Sequence, residues 1–326
     1  MKHVNIFILA GFLLAGCGRN EDQPPERLLD TVAPNTPMRG LSLVESRRGF
    51  KTKLVKRESE KEPIAEPPPQ FFRTVSYDSQ PGKLAAYLTP DPNDGKTHPA
   101  IIWITGGDCN TIGDVWNEAS ASNDQSACAF RKAGIVMMFP SLRGGNDNPG
   151  EKEGFLGEVD DVLAAADFLL KQEFVDPNRI YLGGHSSGGT LVLLVAEYSD
   201  RFRAVFSFGP TSKVVGYDLK YLPFDTSSNR EFELRAPIRW LHFIKSPVFV
   251  FEGTEEPCNL DSLQAMDRTS KNRSVHFFAV RGVNHFNILA PLTQFIASRV
   301  LKDIGPTSNL AFTDEELKTT SNGRSE

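Results

Sequence analysis

The sequence lacks an excess of basic residues, since it has 36 Lys and Arg against 41 Asp and Glu and a formal net charge of -5. Nucleic-acid-binding domains carry clustered Lys and Arg, so no nucleic-acid partner is expected. Cysteine is scarce, with four residues and no closely spaced pair that would indicate a metal site. No motif for a cofactor is present, and no repeat of about 20 to 50 residues indicates a propeller or a solenoid.

The apolar stretch near the N terminus, Val4 to Leu14, is shorter than the roughly 20 residues that a membrane-spanning helix needs. A basic start, this stretch and small residues before a cut site predict a secretory signal over residues 1–17. Its ending, "LAGC", resembles the lipobox of bacterial lipoproteins, in which Cys17 becomes the first mature residue and carries a lipid. The resemblance implies a membrane anchor in the bacterial cell envelope. Gly18, which follows Cys17, resembles the signal that sorts lipoproteins to the periplasmic side of the outer membrane in a Gram-negative host. An ordinary cleaved signal that contains a cysteine is the alternative.

Three cysteines remain beyond the signal, Cys109, Cys128 and Cys258. An exported compartment permits disulfides, and Cys109 with Cys128 is the pairing nearest in sequence. A disulfide and free buried thiols both stay open.

Composition divides the rest of the chain into three parts. Residues 18–70 are polar, mixed in charge and interrupted by proline, which predicts a disordered tether that stiffens toward its end. Residues 71–303 alternate apolar runs with helical patterns and form the expected folded domain. Residues 304–326 are expected to be a flexible tail.

The folded region alternates strand and helix patterns. The apolar run 134–140 is typical of a strand buried on both faces, and residues 158–172 place apolar side chains on one helical face. Alternation of this kind predicts an α/β domain with a mostly parallel, doubly wound sheet flanked by helices. Ligands of such sheets bind beyond the carboxyl ends of the strands. The other predicted strands are 83–89, 100–107, 202–209, 246–253 and 274–282.

The stretch "GGHSSGG" follows one predicted strand and precedes a helix, and it fits the pattern G-x-S-x-G. A serine in a strained strand-to-helix turn needs neighbours without a Cβ, which Gly184 and Gly188 supply. Ser186 is therefore the candidate nucleophile, and Ser187 supplies a backbone N–H at the helix N terminus. His185, inside the turn, is expected to point into packing.

A serine nucleophile needs a base and an acid behind it. His285 follows the last predicted strand and is the candidate base. The loop after the penultimate strand, "VFVFEGTEEPCNLDSLQ", offers three carboxylates for the acid. The candidates are Glu256, Asp261 and Glu255.

An oxyanion hole needs two donors. The Ser187 N–H is one, and the loop after "AIIWITGGD" offers the N–H of Gly107 or Asp108 as the other. The alternative is that the glycine pair of this loop only forms a turn.

The motifs "SLRGG", "NPG", "GEVDDVLAAADFLL", "VDPNRIYLGGHSSGGTLVL", "RFRAVFSFGP", "APIRWLHFIKSPVFVFEGTEEP" and "VNHF" run in order through about residues 98–300. Together they resemble the α/β-hydrolase superfamily and, within it, the prolyl oligopeptidase family. The resemblance implies Ser186, Glu256 and His285 as a triad that cleaves peptide or amide bonds through an acyl-enzyme, without cofactor or metal. It also implies that Arg143 pairs with an acidic residue near the start of the helix, one of Glu158, Asp160 or Asp161.

The chain departs from the family pattern in several places. Family peptidases usually carry a large N-terminal propeller, and here a tether is expected. Thr105 and Glu252 stand where histidines are common, and Glu256 replaces the usual Asp. A carboxylesterase acting on small acyl esters is therefore the alternative function, and a non-catalytic envelope protein that reuses the fold for binding is a third. Residues 210–245 are expected to form a small cap, and its aromatic residues are expected to pack or to line the acyl pocket.

Overall fold

The computed structural model describes residues 40–322. The predicted signal, with Cys17, and the first part of the predicted tether therefore lie outside the described residues. The strands are β1 Arg73–Ser79, β2 Gly82–Leu88, β3 His98–Ile104, β4 Val136–Pro140, β5 Val175–His185, β6 Val205–Phe208, β7 Val248–Glu255 and β8 Val275–Asn284. The helices are α1 Leu43–Arg47, α2 Ala129–Lys132, α3 Glu158–Leu169, α4 Ser187–Tyr198, α5 Asn229–Glu233, α6 Leu260–Thr269, α7 Leu289–Lys302 and α8 Asp314–Asn322.

The eight strands form one sheet in the order β1-β2-β4-β3-β5-β6-β7-β8. The ladders of β2 with β1 and with β4 are antiparallel, and the ladders from β4 to β8 are parallel. The predicted mostly parallel α/β sheet is confirmed. Because the parallel strands run in one direction, the segments that follow β3, β5, β6, β7 and β8 lie at the same edge.

Alternate residues of the central strands pack on opposite faces of this sheet. In β3, Ala100 and Ile102 join the core that contains α3 and α4, whereas Ile101 and Trp103 join the core that contains α7. All four are fully buried. Two covered faces account for the continuous apolar runs of the sequence.

Residues 40–70, here called the N-terminal strap, are packed on the domain, which corrects the prediction of a tether for this part of the chain. Leu43 in α1 is 1% exposed, and Arg47 lies 2.9 Å from Asp160 of α3. Farther along, the Val55 N–H donates to Pro223 O at 2.8 Å. Some of the charges that indicated solvation in the sequence, such as Arg47 and Lys53, pair with distant parts of the chain.

A buried arginine joins the strap, the cap and the body of the domain. Arg235, fully buried, donates to Thr52 Oγ1 of the strap at 2.8 Å and to the carbonyl of Glu153 at 2.9 Å. It also pairs with Glu231 of α5, four residues earlier in the chain. The Thr52 hydroxyl in turn donates to the Glu231 carboxylate at 2.9 Å.

Residues between β6 and β7 form the expected small cap, which contains α5 and short 3₁₀ turns. Trp240 and Phe224 are fully buried, so both pack within the cap. Tyr217 stacks on Phe155 with ring centroids 5.5 Å apart, and its hydroxyl lies 2.9 Å from Thr190 Oγ1 of α4.

The C-terminal segment is also packed, which corrects the expected flexible tail over its described part, residues 304–322. Phe312 is 8% exposed and Leu317 of α8 is 2% exposed. Both belong to the apolar core on the α7 face of the sheet. Two apolar anchors within a polar segment were too few to show as a periodic pattern.

Two smaller predictions can be checked in the fold. Arg143 pairs with Asp161, donating from Nε at 2.8 Å and from Nη2 at 2.9 Å, so the predicted pairing is confirmed. Cys109 and Cys128 are both buried and unpaired, which decides between the two alternatives in favour of free thiols. Within residues 40–322, no helix is long and apolar enough to cross a membrane.

Candidate active site

Ser186 occupies the turn between β5 and α4 with a strained backbone, φ 57° and ψ -115°. A Cβ on Gly184 would lie 2.6 Å from Gly188 O, and one on Gly188 would lie 2.3 Å from Ile104 O. Contacts this short leave no room for any other residue at either position. The two glycines thus let β5, α4 and the end of β3 meet, and the turn lifts Ser186 to the carboxyl edge of the sheet, where it is partly exposed.

The segment after β3 lies beside this turn. A Cβ on Gly106 would be 3.1 Å from Ser186 Cβ, and Ser187 Oγ donates to Gly107 O at 2.7 Å. Gly107 has φ +79°, and a Cβ there would meet nothing within 4 Å. Ser187 begins α4, so its N–H has no intrahelical acceptor. The backbone after β3 and the first residue of α4 therefore both lie beside Ser186.

The Asp108 side chain is held away from a role as an acid or base. Its Oδ2 pairs with Lys152 at 2.8 Å and accepts from Thr111 Oγ1. The carboxylate therefore fixes the loop after β3, and only the backbone of Asp108 is left as a candidate oxyanion donor.

His285 follows β8 and packs against the end of β6. A Cβ on Gly209 would lie 2.4 Å from His285 Cε1, and the preceding carbonyl, that of Phe208, accepts the Ser186 N–H at 2.7 Å. The last residue of β6, Phe208, thus places the candidate nucleophile, and the next residue, Gly209, leaves room for the candidate base. Within residues 40–322 the Ser186 hydroxyl forms no hydrogen bond with His285; such bonds commonly tighten only when substrate binds.

The carboxylate that contacts His285 is Glu252, near the end of β7. Its Oε2 lies 3.0 Å from His285 Nδ1, and both side chains are at most 1% exposed. Oε2 also accepts the Asn259 N–H at 2.9 Å, and Oε1 accepts the Gly253 N–H at 2.7 Å. A buried carboxylate is costly unless hydrogen bonded, and this one has three donors.

The structure therefore corrects the prediction that Glu256 orients the base. Glu256 is exposed, and its Oε2 accepts the Cys258 N–H at 3.2 Å. The alternatives Glu255 and Asp261 are exposed as well. Glu252 was not among the carboxylates predicted for this role, because it lies inside an apolar strand, "VFVFEG". That position was itself a signal, since a glutamate is rarely fully buried unless paired.

Among residues 40–322, no group of three or more His, Cys, Asp or Glu side chains is arranged to hold a metal ion. The chemistry available at this edge is that of a serine, an imidazole, a buried carboxylate and backbone N–H groups. This set is sufficient for acyl transfer.

Comparison with known proteins agrees with the fold. Residues 121–257 match the prolyl oligopeptidase family. Dipeptidyl-peptidase 5 of Porphyromonas gingivalis is 31% identical over 126 residues, 36% of this chain and 18% of that protein. The acylamino-acid-releasing enzyme of Mus musculus is 25% identical over 198 residues, 53% of this chain and 26% of that enzyme.

Solved structures with the same fold include a puromycin hydrolase, with a TM-score of 0.57 and 17% identity over 71% of this chain and 39% of that one. An acylaminoacyl peptidase of Pyrococcus horikoshii has a TM-score of 0.57 and 18% identity, over 76% of this chain and 44% of that one. The chain therefore spans less than half the length of each of these proteins. The chain has the α/β-hydrolase fold of these structures, and its residues 121–257 are similar to the prolyl oligopeptidase family.

Proposed function

We propose that the chain is a serine hydrolase that cleaves peptide or amide bonds through an acyl-enzyme. The observation that carries the proposal is the buried hydrogen bond between Glu252 and His285, beside a serine in a strained turn. The family match and the peptidase relatives support the same class. A fold reused only for binding has no need for a buried carboxylate held against a histidine.

In the proposed mechanism, Ser186 Oγ attacks the substrate carbonyl carbon while His285 Nε2 takes the hydroxyl proton. Glu252 holds the Nδ1–H of His285 and stabilises the imidazolium that forms. The N–H of Ser187 and that of Gly107 or Asp108 stabilise the oxyanion. His285 then gives its proton to the leaving amine, and a water molecule, activated by the same histidine, releases the acid and regenerates Ser186.

The nucleophile assignment is tested by fluorophosphonate labelling of residues 18–326. We expect wild-type protein to be labelled at Ser186 and Ser186→Ala to remain unlabelled. Ser199→Ala is the matched control, because it removes a hydroxyl at the opposite end of α4, so labelling at Ser186 should persist. A folded wild-type protein that does not react would overturn the proposal.

The bond cleaved is tested with a panel of peptide anilides and short acyl esters. Peptide anilides with kcat/KM at least comparable to the esters support the peptidase. Turnover of esters alone would make the chain a carboxylesterase, since an ester has the better leaving group and needs less assistance from the same site.

We also propose that the protein is exported and anchored to the bacterial envelope through a lipid on Cys17. The sequence "LAGC" and the short apolar stretch before it support this proposal. The full chain, expressed in a bacterium with labelled palmitate, should incorporate label and enter the detergent phase, whereas Cys17→Ser should do neither. Equal partitioning of the two forms would exclude the anchor.

A further inference from the structure

One side chain in the loop before α2 connects the segment after β3 with the turn of the nucleophile. Gln125 Oε1 accepts the Gly106 N–H at 2.9 Å, and its Nε2 lies 2.7 Å from His185 Nδ1. The other nitrogen of that histidine, Nε2, lies 2.9 Å from the backbone carbonyl of His285. A continuous series of hydrogen bonds therefore links the oxyanion segment with the backbone of the base.

The backbone donor at one end of the series and the backbone acceptor at the other decide the protonation of His185. A backbone N–H can only donate, so the oxygen of Gln125 faces Gly106 and the amide nitrogen faces His185. His185 Nδ1 must then accept. A carbonyl oxygen can only accept, so His185 Nε2 carries the proton that it donates to His285 O. The arrangement is satisfied only by the neutral Nε2–H tautomer.

The surroundings of His185 keep it in this form. It is 1% exposed, and its ring centroid lies 4.5 Å from that of His285 and 6.0 Å from that of Phe286. Burial, with a smaller contribution from the nearby His285, lowers the pKa of His185 well below its usual range. The second N–H of Gln125 donates to Asn123 Oδ1 at 2.7 Å, so the amide cannot rotate without losing bonds.

We infer that Gln125 and His185 form a positioning pair, which fixes the segment bearing the oxyanion donor and the backbone of the catalytic base relative to each other. The inference rests on the function proposed above. His185 touches no reacting atom in this scheme. It keeps His285 in place through the carbonyl, while Glu252 fixes its ring.

The pair is tested with Gln125→Ala and Gln125→Glu in otherwise intact protein. Loss of the amide should lower kcat by about 10²-fold, as a displacement of about 1 Å at the reacting atoms does, with KM changed less than about 3-fold. In Gln125→Glu, a carboxylate oxygen replaces the amide nitrogen opposite His185 Nδ1, so two acceptors would meet and Nδ1 should take up a proton. Gln172→Ala is the matched control, because that amide bonds the Phe168 carbonyl at the far end of α3.

A spectroscopic measurement separates positioning from loss of fold. The ¹⁵N shifts of the His185 ring should report the Nε2–H tautomer in wild type and protonation of both nitrogens in Gln125→Glu. The double variant His185→Gln and Gln125→Ala should lose no more activity than the less active of the two single variants, because the two residues act as one unit.

Two failures are distinguishable. If fluorophosphonate does not label wild-type protein, the proposed function is excluded, but the tautomer of His185 can still be measured. If wild type is labelled and active, the positioning pair alone is excluded by either of two results. One is a normal kcat in Gln125→Ala, and the other is a proton on His185 Nδ1 in wild type.

Discussion

Glu252 Oε2 lies 3.0 Å from His285 Nδ1, although 33 residues separate the two in the chain. The ladder of β7 with β8 brings them together, because it pairs Glu252 with Ala279 and Glu255 with Asn284, directly before the histidine. Glu252 is thus held by the sheet itself, whereas Glu255 at the end of β7, Glu256 after it and Asp261 in α6 are exposed.

This arrangement predicts different effects for two glutamates four residues apart. Glu252→Gln should reduce kcat by about 10³- to 10⁴-fold, since it removes the charge that stabilises the imidazolium and favours the wrong tautomer. Glu256→Gln should keep kcat within about 3-fold of wild type. Steady-state kinetics on one substrate decides the matter, with circular dichroism as the check on folding. A larger loss in Glu256→Gln would restore the original assignment.

The close contact between Gly209 and His285 allows the position of the candidate base to be tested by steric hindrance. Gly209→Ala places a methyl group 2.4 Å from His285 Cε1 and should abolish turnover. Gly134→Ala is its control, because Gly134 also has a positive φ, +80°, but a Cβ there meets nothing within 4 Å. Both variants should lose about 1 kcal/mol of stability through backbone strain, and Gly209→Ala should lose about 1 to 3 kcal/mol more because the methyl group clashes with buried side chains. Comparable activity in the two would show that His285 can move aside.

The strap predicts a stability effect that a flexible tether would not give. Leu43→Ala should lower the free energy of unfolding by about 2 to 4 kcal/mol, because a fully buried leucine leaves a cavity. Leu41→Ala, at a position 48% exposed, should change it by less than about 0.5 kcal/mol. Urea denaturation measures both, and equal values for the two variants would contradict packing of the strap.

Glu197 of α4 predicts a pH dependence of stability. Its side chain is buried, and within residues 40–322 neither carboxylate oxygen has a hydrogen-bond partner. Burial raises the pKa of Glu197 well above its ordinary value of 4.5. The unfolded chain then ionises first as pH rises, so stability present below pH 4.5 is lost above it.

Glu197→Gln should remove this loss. We expect the variant to be more stable than wild type at pH 7 and to match it at pH 4. Thermal unfolding at both pH values tests this. A stability difference that does not vary with pH would show that the carboxylate is solvated in the folded state.

Much of the fold could be predicted because its signals are local. Continuous apolar runs such as 134–140 identify strands covered on both faces, and glycines on either side of Ser186 identify a turn too tight for side chains. These properties depend on neighbours within a few residues. The strap could not be predicted in this way, since Thr52 meets its partner Glu231 179 residues later in the chain.

The acid was missed for a related reason. A motif fixes the spacing along the chain, but which carboxylate reaches His285 depends on the register of β7 against β8. Register is a property of the assembled sheet. The roles of Ser186 and His285 in catalysis stay predictions until the labelling and kinetic experiments are done.

The bonds of Arg235 have a consequence for how the protein opens. Because one buried guanidinium binds the strap, the Glu153 carbonyl and α5 of the cap, none of the three can separate without leaving a charge unsatisfied. Strap and cap should therefore exchange their amide hydrogens as one cooperative unit. Local unfolding of the strap would therefore also open the cap residues near α4, because strap and cap would share a single opening equilibrium.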